Sequence, residues 1–187
     1  MKNTKFYTLL FTVFVSLFLA SCKSTSPMGE KMKEPMTGGK YESNDRYFRA
    51  VGKSDSQDEN IAKNKADLQA KKELAQQVGT TMKVVTDQYL HENAGASGSE
   101  INDKFQSLIR EVTNTDMADL RKIDEEKYYN AEGVYTVYIA YEIHKRDMYR
   151  TMKRQAKLDA RLNESERKAI EDMLDEELKK IEALGDE

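Results

Sequence analysis

Few side chains in this chain have the type and spacing that chemistry requires. There is one cysteine, Cys22, and two histidines, His91 and His144, far apart in the sequence. One thiol excludes an intramolecular disulfide, and lone imidazoles lack the paired spacing of a zinc site. Carboxylates gather at Asp124-Glu125-Glu126 and at Asp172, Asp175, Glu176 and Glu177. Two converging acids would suit hydrolysis or a hard cation, but neither run has the Asp-x-Asp-x-Asp-Gly frame of a calcium loop, and such runs form solvated faces. Glycine-rich phosphate loops, His-Glu-x-x-His and Gly-x-Ser-x-Gly are missing. The sequence therefore predicts no catalytic residue, no metal and no cofactor. Tyr128, Tyr129, Tyr135, Tyr138 and Tyr141 form an aromatic stripe that suits either sugar stacking or sheet packing; packing is favoured, because phenylalanine is scarce.

The chemistry of Cys22 is set by what precedes it. Lys2 and Lys5 give a positive start, and Thr8 to Leu19 form an apolar run interrupted only by hydroxyls. That is a signal-peptide profile, shorter than the roughly 20 residues a bilayer-spanning helix needs. The run ends in Leu19-Ala20-Ser21-Cys22, which resembles the lipobox of bacterial lipoproteins. The resemblance implies removal of residues 1–21, a diacylglycerol on the Cys22 sulfur, and acyl chains such as palmitate that hold the protein on a membrane. Two or three chains anchor durably, since each buried methylene contributes about 0.8 kcal/mol. Lys23-Ser24-Thr25 carries neither the acidic pair of surface-exported lipoproteins nor the aspartate of inner-membrane retention. By the same resemblance, the outer membrane and its periplasmic side are expected.

Losing Lys2 and Lys5 leaves a net charge of about −5, with both signs mixed along the chain. Nucleic acid and a polybasic membrane patch are excluded as binding modes. Residues 22–44, with Pro27, Gly29, Pro35, Gly38 and Gly39, read as a flexible lipidated tether. Past the signal, Phe48 and Phe105 are the only phenylalanines and tryptophan is absent, so a single small domain with a modest core is expected.

The elements of that domain follow from periodicity. Tyr47 to Gly52 reads as a strand, with Ser54-Asp55-Ser56 as the cap of the helix that follows. From Asp58 to about Tyr89 no proline occurs, and Ala62, Ala66, Ala70 and Leu74, then Val78, Met82 and Val85, form one face of a long amphipathic helix. Alanines at that spacing let the helix backbone approach a sheet closely. Asn93 to Ser99 reads as a mobile loop, and Ile101, Phe105, Leu108, Ile109 and Val112 as the apolar face of a second helix. Strict alternation from Val134 to Ile143 gives the clearest strand, paired antiparallel with Leu120 to Tyr129 through the loop Asn130 to Gly133. Beyond Lys145 the chain is helical, with a capping box at Asn163-Glu164-Ser165-Glu166. Ile170, Met173, Leu174, Leu178, Ile181 and Leu184 then form a narrow stripe that rests a charged helix on the domain.

The fold class expected is α+β: a small antiparallel sheet of one N-terminal strand plus a hairpin, packed by a long and a second helix, with a charged helical extension over 146–187. Within it, Phe48-Arg49-Ala50-Val51-Gly52, then Ala62, Ala66, Ala70 and Leu74-Ala75, and later Tyr135 to Tyr141, resemble the LPP20-type lipoprotein domain, itself similar to the N-terminal domain of the flagellar protein FlgT. The resemblance spans roughly residues 45–145; where that family has a Gly-x-Gly-like motif, this chain has Gly52 alone. It implies an envelope-associated, membrane-anchored module and brings no catalytic residues. Two functions are weighed: a non-catalytic module that binds or assembles with another cell-envelope protein, and a periplasmic module for a small ligand or glycan on the tyrosine-bearing sheet.

Overall fold

The computed structural model describes residues 32–93, 98–115, 117 and 119–185. The chain divides into two units, Met1–Glu34 and Pro35–Glu187, and the fold described here is that of the second. The expected signal peptide and the expected lipobox residues Leu19, Ala20, Ser21 and Cys22 lie outside the described residues, as do residues 94–97 of the expected loop.

Among the described residues, three strands and four helices follow in the order β1 (Tyr47–Ser56), α1 (Glu59–Asn93), α2 (Gly98–Thr115), β2 (Arg121–Tyr129), β3 (Tyr135–His144), α3 (Lys145–Leu158) and α4 (Glu164–Glu182). The sheet is antiparallel in the order β1-β3-β2, so the cleanly alternating strand is the central one. The α+β class is as the sequence predicts. The hairpin forms too: Asn130 N–H and Gly133 N–H close the loop, and Gly133 takes the left-handed φ of 77° that its lack of a Cβ permits.

The start of α1 differs from expectation. Ser54, Asp55 and Ser56 continue β1, paired with Val137, Thr136 and Tyr135, and the cap is Asp58, whose Oδ1 accepts from Asn60 N–H at 2.8 Å and Ile61 N–H at 3.0 Å. Cross-strand pairing satisfies the backbone of residues 54–56, so the helix waits for the next side chain able to cap it. The capping box at the start of α4 forms as read, between Asn163 and Glu166.

One 35-residue helix serves two layers. Its first half lays Ala62 and Ala66 on Val137 and Ile139, and Gly52 of β1 sits beneath it: a Cβ there would lie 2.0 Å from Ala66 O and 2.5 Å from Ala70 N. Its second half, through Leu74, Val78 and Met82, joins Phe105, Leu108 and Ile109 of α2, Met148, Tyr149 and Met152 of α3, and Ile170, Met173 and Leu174 of α4 in the main core. The charged α4 thus rests on the domain by its stripe; Leu178 is buried, Ile181 packs at the margin and Leu184 is exposed. Lys104 of α2 reaches Glu166 of α4 at 2.7 Å, tying the capping box to the bundle. Among the described residues, no helix is long and apolar enough to cross a membrane.

Candidate interaction surface

Alternation gives the sheet two unlike faces. Phe48, Ala50, Gly52, Ile139, Tyr141 and Ile143 point toward the helices. Tyr47, Arg49, Val51 and Lys53 of β1, Tyr138, Ala140 and Glu142 of β3, and Arg121, Asp124, Glu126 and Tyr128 of β2 point the other way. Among the described residues, no helix lies over that second face. Instead, residues 35–44, which fall within the expected tether, cross it as a strap. Met36, 6% exposed, packs with Tyr138, Ala140, Val51 and Ile123. Lys40 Nζ and Tyr41 Oη both donate to Asp124 Oδ2, at 2.7 and 2.6 Å. These two donors hold the Asp124 carboxyl at a pKa of about 2.

Glu142 is the electrostatic centre of this face. Because β3 is central, it has a cross-strand arginine on each side: Arg49 Nε donates to Oε2 and Arg121 Nε to Oε1, both at 2.9 Å, and Arg121 Nη2 also contacts Oε1. Burial alone would raise the pKa of this carboxyl; the Arg121 and Arg49 guanidiniums outweigh it and hold the group below the usual glutamate range. Arg49 also donates through Nη1 to the carbonyls of Gly39 and Glu42, at 3.3 Å each, so the charge cluster holds the strap. Ser43 completes the attachment: its hydroxyl accepts from Arg49 N–H at 2.8 Å and donates to Gln77 Oε1 at 2.6 Å, closing part of the outer edge of β1.

Each end of the face opens into a concavity. At the His144 end, about 340 Å³ is lined by Arg46, His144, Arg146, Ile181, Glu182 and Gly185. His144 is the N-cap of α3: its Nδ1 accepts from Arg146 N–H at 3.2 Å, and its ring lies edge-on to Tyr47 at 4.8 Å. Burial lowers the His144 pKa, which favours the neutral form that Nδ1 needs in order to accept. Arg46 Nη2 donates to Leu184 O at 2.8 Å, and Arg146 Nε lies 3.9 Å from Asp147 Oδ1, beyond hydrogen-bond distance. At the hairpin end, a groove of about 480 Å³ is lined by Pro35, Lys53, Asp55, Tyr128, Thr136 and Tyr138, among others.

The tyrosine stripe is split by the pleat. Tyr138 is 5% exposed and lies edge-on to Tyr128, which is 47% exposed, on the strap-covered face. Tyr129 and Tyr135 pair on the helix side, and Tyr141 donates to Asp67 of α1 at 2.6 Å. Burial and the Asp67 carboxylate push the Tyr141 pKa up to about 12.

The acidic runs disperse in the same way. Asp124 and Glu126 face the strap side, where Tyr128 Oη donates to Glu126, while Glu125 turns to the helix side toward Lys63, Lys122 and Lys127. Asp172 and Asp175 are taken by Lys168 and Lys153, at 2.7 and 2.5 Å. His91 is exposed in the last turn of α1. Among the described residues, no three His, Cys, Asp or Glu side chains come together to hold a metal ion. Sequence reasoning missed the strap and the Arg49–Glu142–Arg121 cluster. Met36 and Tyr41, spaced five residues apart in an otherwise polar stretch, were the available signal. Compared with known proteins, the chain matches no family model, no curated protein and no solved structure.

Proposed function

We propose that this is a cell-envelope lipoprotein whose α+β module works by binding another envelope protein. In this reading residues 1–21 are removed, Cys22 carries the lipid, and the module is held at the outer membrane on its periplasmic side. Leu19-Ala20-Ser21-Cys22 behind an apolar run supports the anchor. The likeness of residues 45–145 to the LPP20-type domain agrees with this role.

One observation carries the binding role: among the described residues the sheet has a face with no helix over it, on which Glu142 is held between Arg49 and Arg121 and Asp124 is held by Lys40. Paired, partly buried charges suit recognition and register more than proton transfer. The test is a crosslinking pull-down of the native protein from intact envelopes, beside a Cys22→Ala form. One specific protein enriched only with the anchored form is the expected result; enrichment equal to the control overturns it.

A second reading has its own observation. Tyr128 presents an exposed ring at the mouth of the hairpin-end groove, the arrangement a periplasmic glycan or other small ligand would use. Retention of a glycan by the purified protein, lost in Tyr128→Ala, would favour that reading over the first.

A further inference from the structure

The strap is held in the way a bound peptide is held. It makes no ladder with β1 or β2; its backbone bonds are a turn, Tyr41 N–H to Gly38 O, and Asn44 N–H to Tyr47 O just before β1. Its side-chain and pocket attachments include Met36 in its apolar pocket, Lys40 and Tyr41 on one carboxylate, two main-chain carbonyls on Arg49, and the Ser43 hydroxyl between Arg49 N–H and Gln77 Oε1. The apolar cluster around Met36 is separate from the main core, and Met36 itself sits at a left-handed φ of 53°, a conformation that opposes its seating. Departure of the strap would leave the core intact and expose Val51, Ile123 and Ala140 beside an unoccupied Asp124.

We propose that residues 35–44 are the resident occupant of a peptide-binding face, and that the module's partner supplies a segment that displaces them. The strap defines the chemistry of that segment: a peptide with a bulky, unbranched apolar side chain, then a turn, and four or five residues after the apolar side chain a cationic or phenolic donor for Asp124. The hairpin-end groove, of which Pro35 is one wall, gives a longer peptide room to continue. Because the strap belongs to the same chain, it competes at a high effective concentration, and only a good match replaces it. This inference rests on the reading of the module as a protein-binding domain.

The test uses the mature full-length protein in detergent, with Met36→Asp to unseat the strap. Amide exchange at Tyr41 and Arg49 is expected to rise at least about tenfold while Leu74 and Ile139 keep their protection. A labelled peptide of residues 35–44 is then expected to bind the Met36→Asp protein at least about tenfold more tightly than wild type, and to lose that gain when Asp124→Asn is added. Should Met36→Asp fail to fold, Lys40→Ala with Tyr41→Phe releases the other anchor and leaves the pocket unchanged. Unchanged exchange, no peptide binding to the loosened protein, or binding indifferent to Asp124→Asn each overturns the proposal. Strap-exchanged dimers overturn it in favour of a second copy. A partner crosslinked outside this face overturns it while leaving the protein-binding reading intact.

Discussion

On one face of the sheet the cover is a 35-residue helix seated directly on Gly52 and Ile139; on the other it is a ten-residue strap with a single fully seated apolar side chain, Met36. Both covers exclude water from the sheet, but their energetics differ. Phe48, Leu74, Ile139 and Ile143 are each essentially inaccessible, and burying such a side chain contributes about 1.5–3 kcal/mol. One methionine contributes about as much, while ordering each strap residue costs about 1 kcal/mol or more. Its hydrogen bonds return about 1 kcal/mol apiece, so the strap is close to balance, and the expectation is that it opens locally while the helix layer opens only with global unfolding. Adjacent residues of the same strands therefore belong to different cooperative units.

The sharpest way to break the contrast is at Gly52. Gly52→Val places a Cβ within 2.0 Å of Ala66 O, which is helix backbone and cannot step aside. Urea denaturation should show a loss of about 4 kcal/mol or more, or no folded protein. Val51→Ala, one residue away and facing the strap, should cost about 1 kcal/mol in the same assay, and equal costs at the two positions would erase the distinction between the faces.

The Arg49–Glu142–Arg121 cluster is the next largest effect, because it belongs to both units. Glu142→Ala leaves Arg49 partly buried without its carboxylate, and a loss of about 3 kcal/mol is expected in the same denaturation assay. Strap amides should exchange faster in that variant as well, since Arg49 would no longer be fixed beneath Gly39 and Glu42.

Met36→Ala tests the strap alone. Its expected cost to global stability is small, about 1 kcal/mol, whereas exchange at Tyr41 N–H and Asn44 N–H should accelerate with α1 unaffected. A matching loss of protection in α1 would mean that the strap and the core unfold together.

The smallest effect is in pH. The Asp124 carboxyl is held well below its unfolded value by Lys40 and Tyr41, to about 2. A depressed carboxyl contributes stability that is present above about pH 4 and is lost as pH falls toward 2. The difference in strap protection between wild type and Asp124→Asn should therefore be full near neutrality and vanish toward about pH 2. A difference that grows on acidification would contradict the assignment.

Much of this fold was legible because its elements repeat short rules. The alanine spacing of α1, the alternation of β3, the hairpin loop and the Asn163–Glu166 capping box are local patterns, and a local pattern survives in any tertiary setting that buries one face. The misplaced start of α1 came from a competition that composition does not rank: Ser54 and Ser56 can cap a helix, but pairing with Val137 and Tyr135 kept them in the strand. The tyrosines illustrate the same gap. Their spacing in β2 and β3 was visible, yet the pleat sends Tyr128 and Tyr138 to the strap side and Tyr129, Tyr135 and Tyr141 to the helix side.

The sequence alone determined the elements and their order, because periodicity is written in contiguous residues. Only the tertiary structure decided that β3 lies between β1 and β2, and so that Glu142 meets Arg49, 93 residues earlier in the chain, and Arg121, 21 residues earlier, from the two flanking strands. It also decided that a Pro- and Gly-bearing stretch with the composition of a linker lies on the sheet. Met36, Lys40 and Tyr41 acquire their partners from Tyr138, Ala140 and Asp124, about ninety residues on, and no local pattern encodes a contact over that separation.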